Sequence, residues 1–228
     1  MSDATSAEPF KPAAFDLPDG ARSEDVAYPQ RPLHVLLATS GSVASIKAPL
    51  IIDALLKYAN VEVQVVATQS SLAFYNAEEV ENRAQQARRS LRIWKDADEW
   101  SSWHKVGDPI LHIELRRWAD IVLIAPLSAN TLAKLSNGIC DNLLTSLMRA
   151  LDPTRTKVYV FPAMNTHMWD HPFTEKQLDI LKSINYQVVG PIGKLLACGD
   201  IGLGAMTEWQ DIVKLAVETY TLKPLQDT

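Results

Sequence analysis

Apolar residues along this chain gather in short, nearly unbroken runs separated by polar turns. The first, His34-Val35-Leu36-Leu37-Ala38-Thr39, ends in Ser40-Gly41-Ser42 and reads as a strand buried on both faces that runs into a tight turn. Four more runs follow: Val61 to Thr68, Ile121 to Pro126, Lys157 to Pro162 and Tyr186 to Gly190. The segments between them change period, with apolar residues three and four apart over 44–58, 130–136, 142–151, 174–184 and 208–220, which predicts helices. Strands alternating with helices of this length make βαβ units, hence a parallel sheet covered by helices on both faces. The stretch Asn76 to Lys95 is charged and looks helical. Residues 1–31 carry prolines, scattered acids and Ala/Ser with no periodicity that could bury a face, and read as a disordered leader. One folded domain is expected over 32–222, followed by a flexible tail at 223–228.

Composition narrows the classes. With 228 residues, 47% of them hydrophobic, the chain can fill one sizeable core. A net charge of -5 argues against nucleic acid or an anionic membrane surface as the main partner. No apolar run reaches the roughly 18 residues of a membrane span. Two cysteines, Cys140 and Cys198, give no disulfide framework, and residues 1–30 lack the basic and apolar regions of a secretory signal, so the expected compartment is the cytoplasm. His104, His167 and His171 form no usual zinc spacing with either cysteine, and no metal is expected.

In parallel sheets of this kind ligands bind beyond the carboxyl ends of the strands. Three of those ends here are hydroxyl-rich turns leading into helices: Thr39 to Ser45, Thr68 to Ser71 and Pro126 to Thr131. Free N–H groups and the positive end of a helix suit a phosphate there, although Ser, Thr and Asn also make ordinary helix caps. The chain has no GxGxxG, no P-loop and no acidic residue placed for a dinucleotide ribose, so a mononucleotide such as FMN fits better than NAD or ATP. A fourth strand end reads Pro162-Ala163-Met164-Asn165-Thr166-His167-Met168-Trp169, where the Asn165 amide can hold a carboxylate or else cap the next helix. His112 stands in an amphipathic segment whose Glu114, Arg116 and Arg117 can simply pair on a helix face. Cys198 lies among Gly199, Gly202 and Gly204, three of nine glycines, a context that suits a reactive thiol on a mobile flap; alone, a cysteine is more often an inert buried hydrophobe.

The segments GSVASIK (41–47), DEWSSW (98–103), GDPILHIELRRWADIVLIAPLSANTLAKLSNGICDNLLT (107–145), PAMNTHMW (162–169) and ACGDIGLGAM (197–206) resemble the eukaryotic phosphopantothenoylcysteine decarboxylases. These are a branch of the flavin-containing cysteine decarboxylases, which also include halotolerance flavoproteins and lantibiotic-processing enzymes. The resemblance covers the chain from about Pro32 to Thr221. Set beside the plant members of the family, the stretch Asn76 to Lys95 is longer and reads as a surface insertion without a role. It implies a three-layer Rossmann-like (flavodoxin-like) α/β fold and a homotrimer that binds FMN between subunits. By the same resemblance the FMN phosphate and ribityl chain meet Gly41, Ser42 and Val43, then Thr68, Ser70, Ser71 and Phe74, then Ser128, Ala129, Asn130 and Thr131. Ala163 and Met164 lie beside the flavin ring. His112 is the active-site base, Asn165 binds the substrate carboxylate and Cys198 is the acid; Met168, Lys194 and Ala197 join Asn165 and Cys198 around the substrate.

The implied reaction converts 4'-phosphopantothenoylcysteine to 4'-phosphopantetheine in coenzyme A biosynthesis. Oxidation of the thiol-bearing carbon to a thioaldehyde gives the carboxylate electrons a sink, CO2 leaves, and the enethiolate is reduced again with a proton from Cys198. Many relatives carry a basic residue three positions before the flap cysteine; here that position is Leu195, with Lys194 one place earlier, which leaves the flap's contact with the substrate phosphate open. Fungal paralogues of the family include inhibitory subunits of a protein phosphatase, so a regulatory role and a heterotrimer with paralogues stand as the alternative. A decarboxylase of peptides ending in cysteine shares the chemistry.

Overall fold

The computed structural model describes residues 27–101, 103–195 and 201–225. Six parallel strands form the central sheet: β1 (Leu33–Thr39), β2 (Val61–Ala67), β3 (Leu91–Trp94), β4 (Ile121–Leu127), β5 (Lys157–Pro162) and β6 (Gln187–Val188), in the order β3-β2-β1-β4-β5-β6. Every residue of β1 and β4 is buried, which is why both read as unbroken apolar runs. Successive side chains point to opposite faces. Leu33, Val35 and Leu37 pack with Ile51, Ile52 and Leu55 of α1 (Ala48–Leu55) and with Ile212, Val213 and Ala216 of α8 (Trp209–Tyr220). Leu36 and Ala38 face the other layer, with Leu115 and Trp118 of α3 (Leu111–Trp118), Leu132 of α4 (Ala129–Asn137), Leu144 and Leu147 of α5 (Leu143–Ala150), and Leu178 and Leu181 of α7 (Pro172–Ser183). The three-layer Rossmann-like expectation therefore holds, and the switch in strand order falls between β1 and β4, where such sheets open a crevice.

The helix expected over 44–58 is shorter: a 3₁₀ turn at Val43–Lys47 precedes α1, which starts with Pro49 in its first turn, where proline's missing N–H costs nothing. The reading of Asn76 to Lys95 as a surface insertion is corrected. Its helix α2 (Ala77–Gln86) buries Ala77, Val80 and Ala84, and β3 adds a strand to the sheet by pairing Val63 with Leu91 and Val66 with Trp94. Short α6 (Thr166–Trp169) follows β5, and β7 (Ile192–Leu195) with β8 (Ile201–Ala205) form a separate antiparallel pair that was not expected. Gly204, at φ 139°, lies so close to the end of β5 that a Cβ would come within 2.3 Å of the Met164 carbonyl oxygen; its own carbonyl accepts from the Met164 N–H at 2.9 Å. Past residue 222 the chain turns back onto the body, Ala59 N–H donating to Lys223 and Leu225 N–H to Lys57. Among the described residues no helix is long and apolar enough to cross a membrane.

Candidate active site

The turns after β1, β2 and β4 are tied to one another. The Thr39 hydroxyl lies 2.9 Å from that of Ser71 and 3.0 Å from that of Tyr75, which fastens the end of β1 to the turn after β2. The Ser40 hydroxyl donates to the Pro126 carbonyl and accepts from the Ser128 N–H, both at 2.8 Å, which fastens the same end to the turn after β4. Burial pushes the Tyr75 phenol up against the opposing effect of these bonds, so it stays a neutral partner. A cavity of about 300 Å³ opens between the turns, lined by Gly41, Thr68, Ser70, Ser128, Asn130 and Thr131 together with Gln69, Asp96, Lys134, Asp141 and Asn142. Six of the thirteen residues expected to hold the cofactor are thus brought to one place.

The others differ. Ser71 is fully buried and spends its hydroxyl on Thr39 and the Thr68 carbonyl. Ser42 begins the turn at 43–47 without a side-chain cap, Val43 is 48% exposed, and Phe74 closes the short turn after Ser71. Ala129 packs against the core on α4, while Ala163 and Met164 are buried at the end of β5. Asp96, Lys134, Asp141 and Asn142 had no expected role. Lys134 pairs with Asp141 at 2.7 Å and holds that carboxyl below its usual range through the hydrogen bond. Asp96 accepts from the Leu143 N–H at 3.0 Å, and Asn142 caps the same helix end. Sequence carried a trace of this in Asn142, which has the spacing of a capping box with Thr145, but nothing pointed to Asp96.

The cavity fits a flavin mononucleotide on two observations. Thr68 Oγ1 is buried with no hydrogen-bond partner among the described residues, an arrangement that costs stability unless a ligand completes it. Gly41 gives a close backbone approach: a Cβ there would stand 2.7 Å from that of Ser70.

The expected base and carboxylate binder stand outside that cavity's lining. His112, in the first turn of α3, has its Nδ1 2.5 Å from Oε1 of Glu99, with side chains 21% and 9% exposed. Glu99 closes the 3₁₀ turn Asp96–Asp98, whose first residue, Asp96, lines the cavity. Asn165 caps α6, its Oδ1 accepting from the His167 N–H at 2.8 Å, as one of its two expected readings had it. Met168 on α6 is 49% exposed. Lys194 falls in β7, and Ala197 and Cys198 lie outside the described residues.

Residues 24–221 match the flavoprotein family. A phosphopantothenoylcysteine decarboxylase of Arabidopsis thaliana is 51% identical over 180 residues, 79% of this chain and 81% of that one. The chain belongs to the flavoprotein family of phosphopantothenoylcysteine decarboxylases. A family structure, a Cys-to-Ser variant of a phosphopantothenoylcysteine decarboxylase complexed with pantothenoylaminoethenethiol, superposes with a TM-score of 0.76 at 46% identity, covering 84% of this chain and all of that one. The FMN-binding protein AtHal3 gives 0.74 at 47% identity over 84% of this chain and 98% of its own. The chain also matches a probable thymidylate synthase of Schizosaccharomyces pombe, 46% identical over 84% of this chain but spanning only 31% of that protein's length.

Proposed function

We propose that this protein decarboxylates 4'-phosphopantothenoylcysteine to 4'-phosphopantetheine with bound FMN, a carboxy-lyase step of coenzyme A biosynthesis in the cytoplasm. The observation that carries the reading is the cavity at the switch in strand order, where Gly41, Thr68, Ser70, Ser128, Asn130 and Thr131 converge around an unpartnered buried hydroxyl. Family membership supplies the cofactor and substrate class. These residues, with Ala163 and Met164, would hold the FMN. The chemistry FMN supplies when bound is a reversible two-electron sink, which lets CO2 leave without a localised carbanion. His112 takes a substrate proton at Nε2. Asn165 meets the substrate carboxylate through its amide nitrogen, since Oδ1 is an acceptor and serves the cap of α6. Cys198 returns a proton to the enethiolate; the enethiol ligand in the Cys-to-Ser relative supports that order of events.

The site is completed by a neighbouring subunit of a homotrimer. Two features support this: His112 and Asn165 do not line the cavity of their own protomer, and Val43, Ile46 and Leu50 stand 39–57% exposed beside its Gly41 turn. The test is the visible spectrum of the purified protein, followed by CO2 release on adding 4'-phosphopantothenoylcysteine. A flavin spectrum with stoichiometric CO2 is expected. Colourless protein that cannot be reconstituted with FMN and releases no CO2 would overturn the reading and favour a regulatory, phosphatase-binding descendant.

A further inference from the structure

We propose that Glu99 is the positioning residue of the site, holding the His112 imidazole in one tautomer and one orientation so that Nε2 is the nitrogen presented to substrate. The proposal rests on the reading of His112 as the base. Glu99 Oε1 lies 2.5 Å from His112 Nδ1, and an ionised carboxylate can only accept, so Nδ1 carries the proton and Nε2 the lone pair. When Nε2 takes a substrate proton, the Nδ1 proton stays in place, and the carboxylate offsets the charge of the imidazolium without becoming protonated itself.

The surroundings of Glu99 argue against a merely structural role. Its residue is 7% exposed and its second oxygen, Oε2, is buried with no partner among the described residues. A buried carboxylate is costly unless paired, and an apolar side chain of similar size would fill the position at lower cost. The side chain is also held firmly. The turn that carries it is capped at both ends, Lys95 N–H donating to Asp98 at 2.8 Å and Glu99 N–H to the Asp96 carbonyl at 3.3 Å, and Asp96 fastens it to α5. Farther along α3, Glu114 pairs with Arg117 at 3.0 Å.

Two measurements on the FMN-loaded protein test it. Nitrogen-15 spectra of imidazole-labelled protein above neutral pH should show His112 as the Nδ1-protonated tautomer, moving toward the Nε2-protonated form in Glu99→Ala and staying in place in Glu99→Gln, whose amide oxygen still accepts. Turnover in Glu99→Ala should fall about 10- to 100-fold with KM little changed, with Glu99→Gln in between. Against a His112→Asn background, Glu99→Gln should cost nothing further. An Nε2-protonated His112 in the unaltered protein, or an equal additional loss in the His112→Asn background, would overturn the proposal. If Glu99→Ala does not fold, the isosteric Glu99→Gln carries the double-variant test. Full turnover in His112→Asn would remove the base assignment, and the tautomer spectrum would still decide whether Glu99 sets the ring.

Discussion

The two ends of α3 each meet a histidine, and the two rings are held in opposite ways. At its C-terminal end, by the amino edge of the sheet, the Trp118 carbonyl accepts from Nδ1 of His34 at 2.9 Å while the two rings stack at 4.4 Å. His34 is 4% exposed, and burial, with the Arg31 charge beside it, pushes its pKa down to about 4. At the N-terminal end the His112 Nδ1–H donates a hydrogen bond to the Glu99 carboxylate, and part of the ring stays exposed. A hydrogen bond to Nδ1 alone therefore says little about function. Each ring has a carboxylate in reach, Glu62 at 3.5 Å from His34 Nε2 and Glu99 on His112 Nδ1, so what separates them is the Nδ1 acceptor, a neutral carbonyl against a carboxylate, and burial, which encloses His34 and leaves part of the His112 ring exposed.

The sharpest way to break that comparison is to remove each ring in turn. His112→Asn should lower CO2 release about 10²- to 10⁴-fold while leaving the urea midpoint nearly unchanged. His34→Asn should do the reverse, costing stability and leaving turnover per folded molecule intact; a large loss of turnover from His34→Asn would erase the distinction. The second test uses pH on the apo protein. His34 titrates at about 4 when folded but near the ordinary histidine value of 6.5 when unfolded, so the unfolded chain takes up the proton first as pH falls. The stabilisation is complete above pH 6.5, is lost progressively down to pH 4, and amounts to about 3 kcal/mol across that window. Between pH 7.5 and 5.5 the loss should be about 1 kcal/mol in urea titrations, and His34→Gln should flatten it.

The same contrast between apolar runs and single polar contacts explains what could be read from the chain. β1, β4 and β5 were legible because burial on both faces writes itself as a nearly continuous apolar run, and β2 because Val61, Val63, Val65 and Val66 keep a β-branched run around the half-buried Glu62 and Gln64. β3 was not, because Leu91-Arg92-Ile93-Trp94 sits among charges and becomes a strand only by pairing with β2 at the sheet edge. In β7 and β8, Gly193, Gly202 and Gly204 leave few side chains to show a period, and the approach of Gly204 to the Met164 carbonyl is a contact between distant segments. The hydroxyl-rich turns stood out as a group, yet sequence could not say that Ser71 is spent on Thr39 while Thr68 is not. Glu99 and His112, thirteen positions apart across an irregular segment, follow no helical or strand period that would link them.

Smaller changes in the cavity test the cofactor reading through binding alone. Gly41→Ala places a Cβ 2.7 Å from that of Ser70, so one turn must shift, and FMN affinity measured by flavin fluorescence should fall about tenfold, equivalent to about 1.4 kcal/mol. The mildest and most discriminating change is Thr68→Val compared with Thr39→Val. The Thr39 hydroxyl already has Ser71 and Tyr75 as partners, so its loss should cost the apo protein about 1 kcal/mol. The Thr68 hydroxyl is buried without a partner, so replacing it with a methyl of nearly equal size should leave apo stability unchanged or raise it by up to about 1 kcal/mol. If that hydroxyl is held for the FMN phosphate or ribityl chain, the same change should weaken FMN binding about three- to tenfold, the worth of one hydrogen bond. A Thr68→Val protein that loses apo stability and binds FMN unchanged would mean that the hydroxyl serves the fold, and the cavity would lose its most direct mark of a ligand.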